Sequence, residues 1–301
     1  MLLYRVLRDL LGTDAGRRHP LRLLGRFGYL QLRRRLGPSP FVFTTSTGTS
    51  ALVERVGDFS AITGLYYTDL PDLQETAFAC HTLRAGEVFW DIGANQGFWS
   101  ILLAGRGVQA HAFEPTPITF QNQIKQFAAQ RSPHRELLHG HNLAMSSKVG
   151  KMRFTVDRGQ ANYLLKDDET YAGAIAEVEV TTIDGYSSQA PAPNFIKIDV
   201  EGWTLPVLQG AVETLKSPHL HALVIETFRF ADGATPEMRA VEKLLEEFGF
   251  RPFSYDPSGR RLKPLLELNE GRQDTIYARD DAPLRERLRS AEPVYCFGDR
   301  Y

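Results

Sequence analysis

The chain reads as an α/β protein built on one mostly parallel, Rossmann-like sheet with helices on both faces. Three observations predict this. From Val88 onward, apolar strand-like runs alternate with segments of helical periodicity, which specifies a parallel sheet covered on both sides. The stretch VFWDIGANQGFWSILLA, Val88 to Ala104, drives an apolar run straight through a glycine turn into a second apolar run. The last two strand-like runs, FRPFSYD and DTIYARD, have no helical crossover between them and are therefore expected to pair antiparallel.

The elements follow in order. Residues 1–40 carry nine arginines against Asp9 and Asp14, with Leu3, Leu7, Leu10 and Leu11 at helical spacing. This predicts an arm of one or two amphipathic helices with a basic face. Its apolar face is expected to pack on the main domain or on a second subunit, giving a homo-oligomer. The alternative is attraction to an anionic membrane surface or an acidic partner. GPSP ends the arm at Pro40, and residues 41–301 form the main domain. Within it, 41–85 hold a hairpin, in FVFTTSTGTSALVERVGD, and a helix, in LPDLQETAFACHTL; 86–301 form the core. The core is expected to run as a strand to Asp91, helix 97–106, strand 108–114, helix 117–130 and a strand near 137–144. Two extended pieces, KMRFTV and AEVEVTTI, flank a polar loop at 157–173. Then come strand NFIKIDV, helix 204–216, strand LHALVIET, helix 236–248 and the two closing strands, with a loop or partial hairpin, PSGRRLKPLLELNEGRQ, between them.

Bulk composition narrows the function. With 301 residues and 43% hydrophobic content, the chain can bury one large core plus a small appendage. A net charge of −1 provides no global field for nucleic acid. Cys80 and Cys296 sit in no metal-ligand or redox spacing, which suits a reducing compartment. No apolar run reaches the roughly 18 to 20 residues of a membrane span. The N-terminus interrupts its apolar stretch with arginines, unlike a secretory signal. A cytoplasmic location is expected.

The glycine turn is the first candidate site. Ligands in such sheets sit at the strand ends, where glycines let the backbone approach them and helix N–H groups point at them. Gly93, Ala94, Asn95, Gln96 and Gly97 lack the central glycine of the dinucleotide fingerprint G-x-G-x-x-G, the one that makes room for a pyrophosphate. Asp91, just before the turn, suits a ligand carrying positive charge, such as an amine or sulfonium. Glu114, at the tip of the second strand about 20 residues on, can accept hydrogen bonds from both ribose hydroxyls of an adenosyl ligand. Taken singly, either acid could be a turn or capping residue.

Five pieces, VFWDIGANQGFWSILLA, AFEPTPITFQNQ, NLAMSSKVGKMRF, VTTIDGY and FIKIDVEGWTLPVLQGA, occur in the order seen in the FkbM-type S-adenosylmethionine-dependent methyltransferases. The chain resembles that family over roughly residues 60–230. The resemblance implies a class I methyltransferase fold with seven strands, the last antiparallel. It implies that the turn at Gly93, Asn95 and Gly97 holds the methionine part of S-adenosylmethionine, that Glu114 holds the ribose, and that Asn142 faces the adenine. It also implies an acceptor hydroxyl on a sugar, a glycan or a secondary metabolite. Trp203 and Thr204 depart from the pattern, since many relatives carry a glutamate at the second of these positions.

FIKIDVEGWTLP ends a buried strand with Lys197, Asp199 and Glu201 at period two, so the three side chains are expected to point the same way. Asp199 and Glu201 are the candidates for accepting the acceptor's proton, and Asp199 could instead hold the cofactor's ammonium. The competing reading has both acids capping the helix that starts near Thr204. Asp199 with Glu226 could bind Mg²⁺, but two acids are a thin ligand set, so a metal is not favoured and no metal ligands are assigned. His139 and His141, or His219 and His221, form H-x-H pairs without an evident third ligand. The expected function is O-methyl transfer from S-adenosylmethionine. The alternatives are a nicotinamide-dependent oxidoreductase and a non-catalytic protein that binds the cofactor or a glycan.

Overall fold

The computed structural model describes residues 2–37, 39–54, 61–227, 235–265 and 274–301. Its centre is an eight-stranded sheet. In spatial order the strands are Arg261–Pro264, Arg251–Asp256, Asp274–Ala278, Ala222–Glu226, Phe195–Ile198, Val88–Ile92, Gln109–Phe113 and Leu138–His141. The run from Ala222–Glu226 to Leu138–His141 is parallel throughout. Asp274–Ala278 inserts antiparallel between Ala222–Glu226 and Arg251–Asp256. The expected antiparallel end is therefore present, and the seven-strand expectation falls one short. Residues 261–264 fold back on Arg251–Asp256 as a hairpin and add an edge strand. Residues 266–273 of that expected loop, and 55–58 of the N-terminal hairpin, lie outside the described residues.

Alternate residues of the central strands feed two separate cores, as the pleat demands. Phe89, Ala110, Phe195, Val224 and Ile276 face one side, where Leu73–Thr82 and Phe98–Ala104 cover them. Trp90, Phe113, Ile196, Ile198 and Leu223 face the other, against Val207, Leu208, Val241 and Leu245. The expected helix over 204–216 is two pieces, Thr204–Gln209 and Val212–Lys216, broken at Gly210. A Cβ on Gly210 would meet the Ser146 carbonyl at 2.2 Å, so the helix kinks to let a neighbouring segment pass. Two helices not anticipated from the sequence, Ala61–Thr68 and Ala282–Ser290, complete the cover.

Two additions frame the C-terminal edge of the sheet. Between the Leu138–His141 and Phe195–Ile198 strands, Ala144–Met145, Gly150–Thr155 and Ile175–Thr181 form a small separate sheet. At the N-terminus, helices Leu2–Leu11, Asp14–Arg18 and Pro20–Leu36 form the arm. Leu23, Phe27 and Leu30 of the last helix are buried, and Phe27 and Leu30 join the core beside Tyr66 and Phe297. Arg18 and Arg26 stack over Tyr301 and Phe297. The arm's inner face thus packs on the main domain. Among the described residues, no helix is long and apolar enough to cross a membrane.

Candidate active site

A cavity of about 340 Å³ opens at the C-terminal ends of the central strands. Among its described lining residues the charged groups are Asp91, Glu114, Asp199, Glu201, Glu226 and the single cation Lys197. Gly93 and Asn95 also line it.

The glycine turn has the predicted strand-to-helix shape, with Gly93 and Gly97 at φ +77° and +81°. What demands the glycines is the protein itself. A Cβ on Gly93 would sit 1.7 Å from the Asp199 carbonyl oxygen, and one on Gly97 2.7 Å from the Phe127 ring. Gly97 stands outside the cavity lining, beside the Phe127 ring. Asp91 is buried and accepts a hydrogen bond from Ser100 Oγ at 2.7 Å. Burial raises its pKa to about 6, despite the opposing charge of Lys197.

Glu114 sits at the next strand tip, 6% exposed. Its two carboxylate oxygens accept from the backbone N–H groups of Asn95 at 3.0 Å and Thr116 at 2.8 Å. Each oxygen keeps a lone pair for a further donor. Burial raises its pKa, and the Thr116 side chain and the two backbone donors oppose that shift. Asn142 is exposed and stands outside the cavity lining. Its amide nitrogen donates to the carbonyls of Glu114 and Pro115 at 2.8 and 3.0 Å, which braces the Glu114 tip. The strand ends at His141, so Asn142, expected to face the adenine, stands on the following loop with its amide nitrogen held by these two carbonyls.

The third strand end concentrates the charge. Lys197 is buried and in register with Asp91 on the neighbouring strand. Its ammonium donates to Asp199 at 2.7 Å and lies 5.8 Å from the Trp99 ring centre. Burial raises the Asp199 pKa, but the Lys197 charge together with hydrogen bonds from Glu226 and Lys197 outweighs it and keeps the carboxylate ionised. Glu226 meets Asp199 carboxyl to carboxyl. No N–H or hydroxyl donor among the described residues reaches Glu226 Oε2. Burial, then the Asp199 charge, push Glu226 up to about 10, so it is protonated near neutrality and donates to Asp199. Asp274, in register with Glu226, is pushed by burial to about 7.

Glu201 reaches the group by a different route from the expected one. The strand stops at Ile198, so no period-two ladder continues through Asp199 and Glu201. Instead Glu201 adopts φ +47°, a left-handed conformation uncommon for a non-glycine residue, and Gly202 follows at +83°. This turn brings oxygens of Asp199, Glu201 and Glu226 within 4.8 Å of one another. Burial and the Asp199 charge raise the Glu201 pKa. The helix Thr204–Gln209 starts at Trp203 with no side-chain capping bond, so neither acid caps it. The sequence showed two acids for a hard cation; the fold assembles three, a set that could hold Mg²⁺ once Glu226 gave up its proton.

Several contributors escaped the sequence reading. Trp99 is 2% exposed, lines the cavity, and its indole N–H has no partner among the described residues. Phe154, Asn162 and Leu164, from the small sheet and its loop, also line the cavity, as does Trp203, whose indole N–H donates to Ser146 Oγ at 3.1 Å. Among the histidines, His139 and His141 do gain a third member, His111, stacked at 4.7 and 5.3 Å from them. Tyr186 OH and Gln109 complete the set. Burial lowers His111 and His141 to about 4, so both rings are neutral, and none of the three lines the cavity. His221 instead joins Arg287 on Glu87.

Residues 91–252 match the family model of the methyltransferase FkbM domain. The chain is 30% identical over 165 residues to the hexuronic acid methyltransferase AglP of Haloferax volcanii, covering 54% of this chain and 62% of that protein. Among solved structures, fibrillarin of Aeropyrum pernix in complex with natively bound S-adenosyl-L-methionine matches with a TM-score of 0.40 and 10% identity, over 68% of this chain and 73% of that one. A TehB-like SAM-dependent methyltransferase from Corynebacterium glutamicum matches with a TM-score of 0.36 and 12% identity, over 69% and 88%.

Proposed function

The chain belongs to the FkbM methyltransferase family, and on that premise we propose that it transfers a methyl group from S-adenosylmethionine to a hydroxyl of a sugar, a glycan or a secondary metabolite. The observation that carries this reading is the charge of the cavity: five carboxyl groups and one ammonium line it. A pyrophosphate would face that set at heavy electrostatic cost, which disfavours a nicotinamide dinucleotide. A sulfonium and an amine suit it. The buried Trp99 N–H, without a protein partner, is a ready donor for a carboxylate such as that of the cofactor's methionine part. The 30% identity to a hexuronic acid methyltransferase favours a sugar acceptor among the three classes.

S-adenosylmethionine would supply an electrophilic methyl group on sulfur. Around it, this chain's residues divide the work. Glu114, pre-set by two backbone N–H groups, would take the ribose hydroxyls. Asp199, kept anionic by Lys197, would hold the ammonium. Glu201, whose raised pKa improves its match to a hydroxyl proton near neutrality, would accept that proton as the oxygen attacks. The Glu226 proton offsets part of the charge that three close carboxylates would otherwise carry. The remaining gain comes from holding the reactants in line.

Titration calorimetry with S-adenosylmethionine and with NAD tests the cofactor, and preference for NAD would sink the proposal. Release of S-adenosylhomocysteine across a panel of sugar and uronic acid acceptors separates a catalyst from a protein that only binds.

A further inference from the structure

We propose that the outward face of the helix Pro20–Leu36 docks on an anionic lipid bilayer. The helix is apolar on two sides. Leu23, Phe27 and Leu30 point into the protein and are buried. About half a turn away around the axis, at helical spacing, lies a second apolar row: Leu21, Leu24, Leu32 and Leu36, exposed by 83%, 40%, 55% and 78%. Gly25 and Gly28 complete the row, and a Cβ on either would enter open space. The row runs about 22 Å along the surface at 1.5 Å per residue. A soluble helix needs only one apolar face, and four exposed leucines in line mark a surface that something covers.

Charge selects the occupant. Arg35 is exposed at the row's C-terminal end and Arg17 just before its start, while Arg18 and Arg22, though exposed, reach back to the Tyr301 hydroxyl and the Phe297 carbonyl. Residues 1–40 hold nine arginines against two acids, in a chain whose net charge is −1. Leucines along one line with arginines at its margins are what an interfacial helix presents: the leucines enter the acyl boundary while the long basic side chains reach headgroup phosphates. A second copy fits the charge badly. A parallel self-pairing of the row would set Arg35 against Arg35, with no acid on the helix to relieve it. The inner face keeps the helix on the domain, so docking needs no unfolding of the arm.

Sedimentation of the full chain with vesicles decides this, using phosphatidylcholine alone and phosphatidylcholine mixed with phosphatidylglycerol. The wild-type chain should sediment with the anionic vesicles at low salt, weakly with the neutral ones, and less as salt rises. Leu21→Ser and Leu32→Ser change exposed residues and should leave the fold and S-adenosylmethionine affinity unchanged. Each should weaken anionic vesicle binding by about tenfold. No binding of the wild-type chain, or full binding by the double serine variant, overturns the proposal. So does a concentration-dependent dimer in light scattering that the serine variants abolish, which would assign the row to a second copy.

Discussion

The Asp199 carbonyl oxygen lies 1.7 Å from where a Cβ on Gly93 would stand. The first turn of the site and the end of the Phe195–Ile198 strand are thus in backbone contact, and Gly93 is fixed by the fold before any ligand is considered. Gly93→Ala should destabilise the protein by about 2–5 kcal/mol, combining a positive φ with a clash against backbone. Thermal unfolding checks it. A variant that keeps the wild-type melting temperature and loses only cofactor binding would show the glycine serving the ligand instead.

Glu114 tests the ribose site. Glu114→Gln removes the charge and keeps one acceptor oxygen, while its NH2 meets the other backbone N–H, so some stability is lost as well. We expect S-adenosylmethionine affinity to fall by about 2–3 kcal/mol, roughly 30- to 150-fold, as charge-assisted bonds to two hydroxyls are lost. Calorimetry on the folded variant reads this directly. Wild-type affinity would move the ribose site elsewhere.

Much of this arrangement was legible in the sequence because it is local. The turn after Asp91, the acid at Glu114 and the strand carrying Lys197 follow from periodicity and glycine placement. What was not legible depends on contacts across the sheet or on one backbone angle. Asn142 occupies the expected place in the chain, yet its amide is bound by two carbonyls, a fact set by how the loop turns. Glu201 joins Asp199 and Glu226 through a left-handed residue that no pattern announces. His111 completes the histidine stack only because its strand lies in register with His139. The helix Ala282–Ser290 carries four charged residues in nine, so its periodic signal was weak although Leu284 and Leu288 are buried.

The proton on Glu226 makes stability depend on pH. Its folded pKa is about 10 against an ordinary 4.5. The stabilisation it offers is complete below 4.5 and is lost as pH rises through the folded value, because the unfolded chain releases the proton first. Glu226→Gln removes that dependence. It should match the wild-type chain in acid and exceed its stability by about 1–3 kcal/mol near pH 8, with the gap widening upward. Equal stability of the two proteins across this range would mean that Glu226 is ionised in the fold.

The same proton bears on metal dependence. Any cation bridging Asp199, Glu201 and Glu226 must displace it and compete with Lys197, already 2.7 Å from Asp199. We therefore expect methyl transfer to survive exhaustive chelation near neutrality. Loss of activity restored by Mg²⁺, with proton release on binding, would reverse this.

Glu201 carries the sharpest prediction, because its proposed role is visible in a pH profile. A base with a raised pKa loses activity on the acid side at a pH above the usual glutamate range, as it protonates before the hydroxyl can use it. Glu201→Gln keeps the length and hydrogen-bonding shape but cannot take the proton, so turnover should fall by about 10²- to 10⁴-fold with cofactor affinity nearly unchanged. The residual rate should no longer follow that acid limb. Glu201→Asn gives a second arm, since asparagine tolerates the left-handed backbone well and should hold or raise stability while losing turnover. A residue that merely shaped the turn would behave oppositely, with asparagine active and the profile intact. Single-turnover rates for the two variants across pH, beside calorimetric affinities for S-adenosylmethionine, distinguish a proton acceptor from a turn-former.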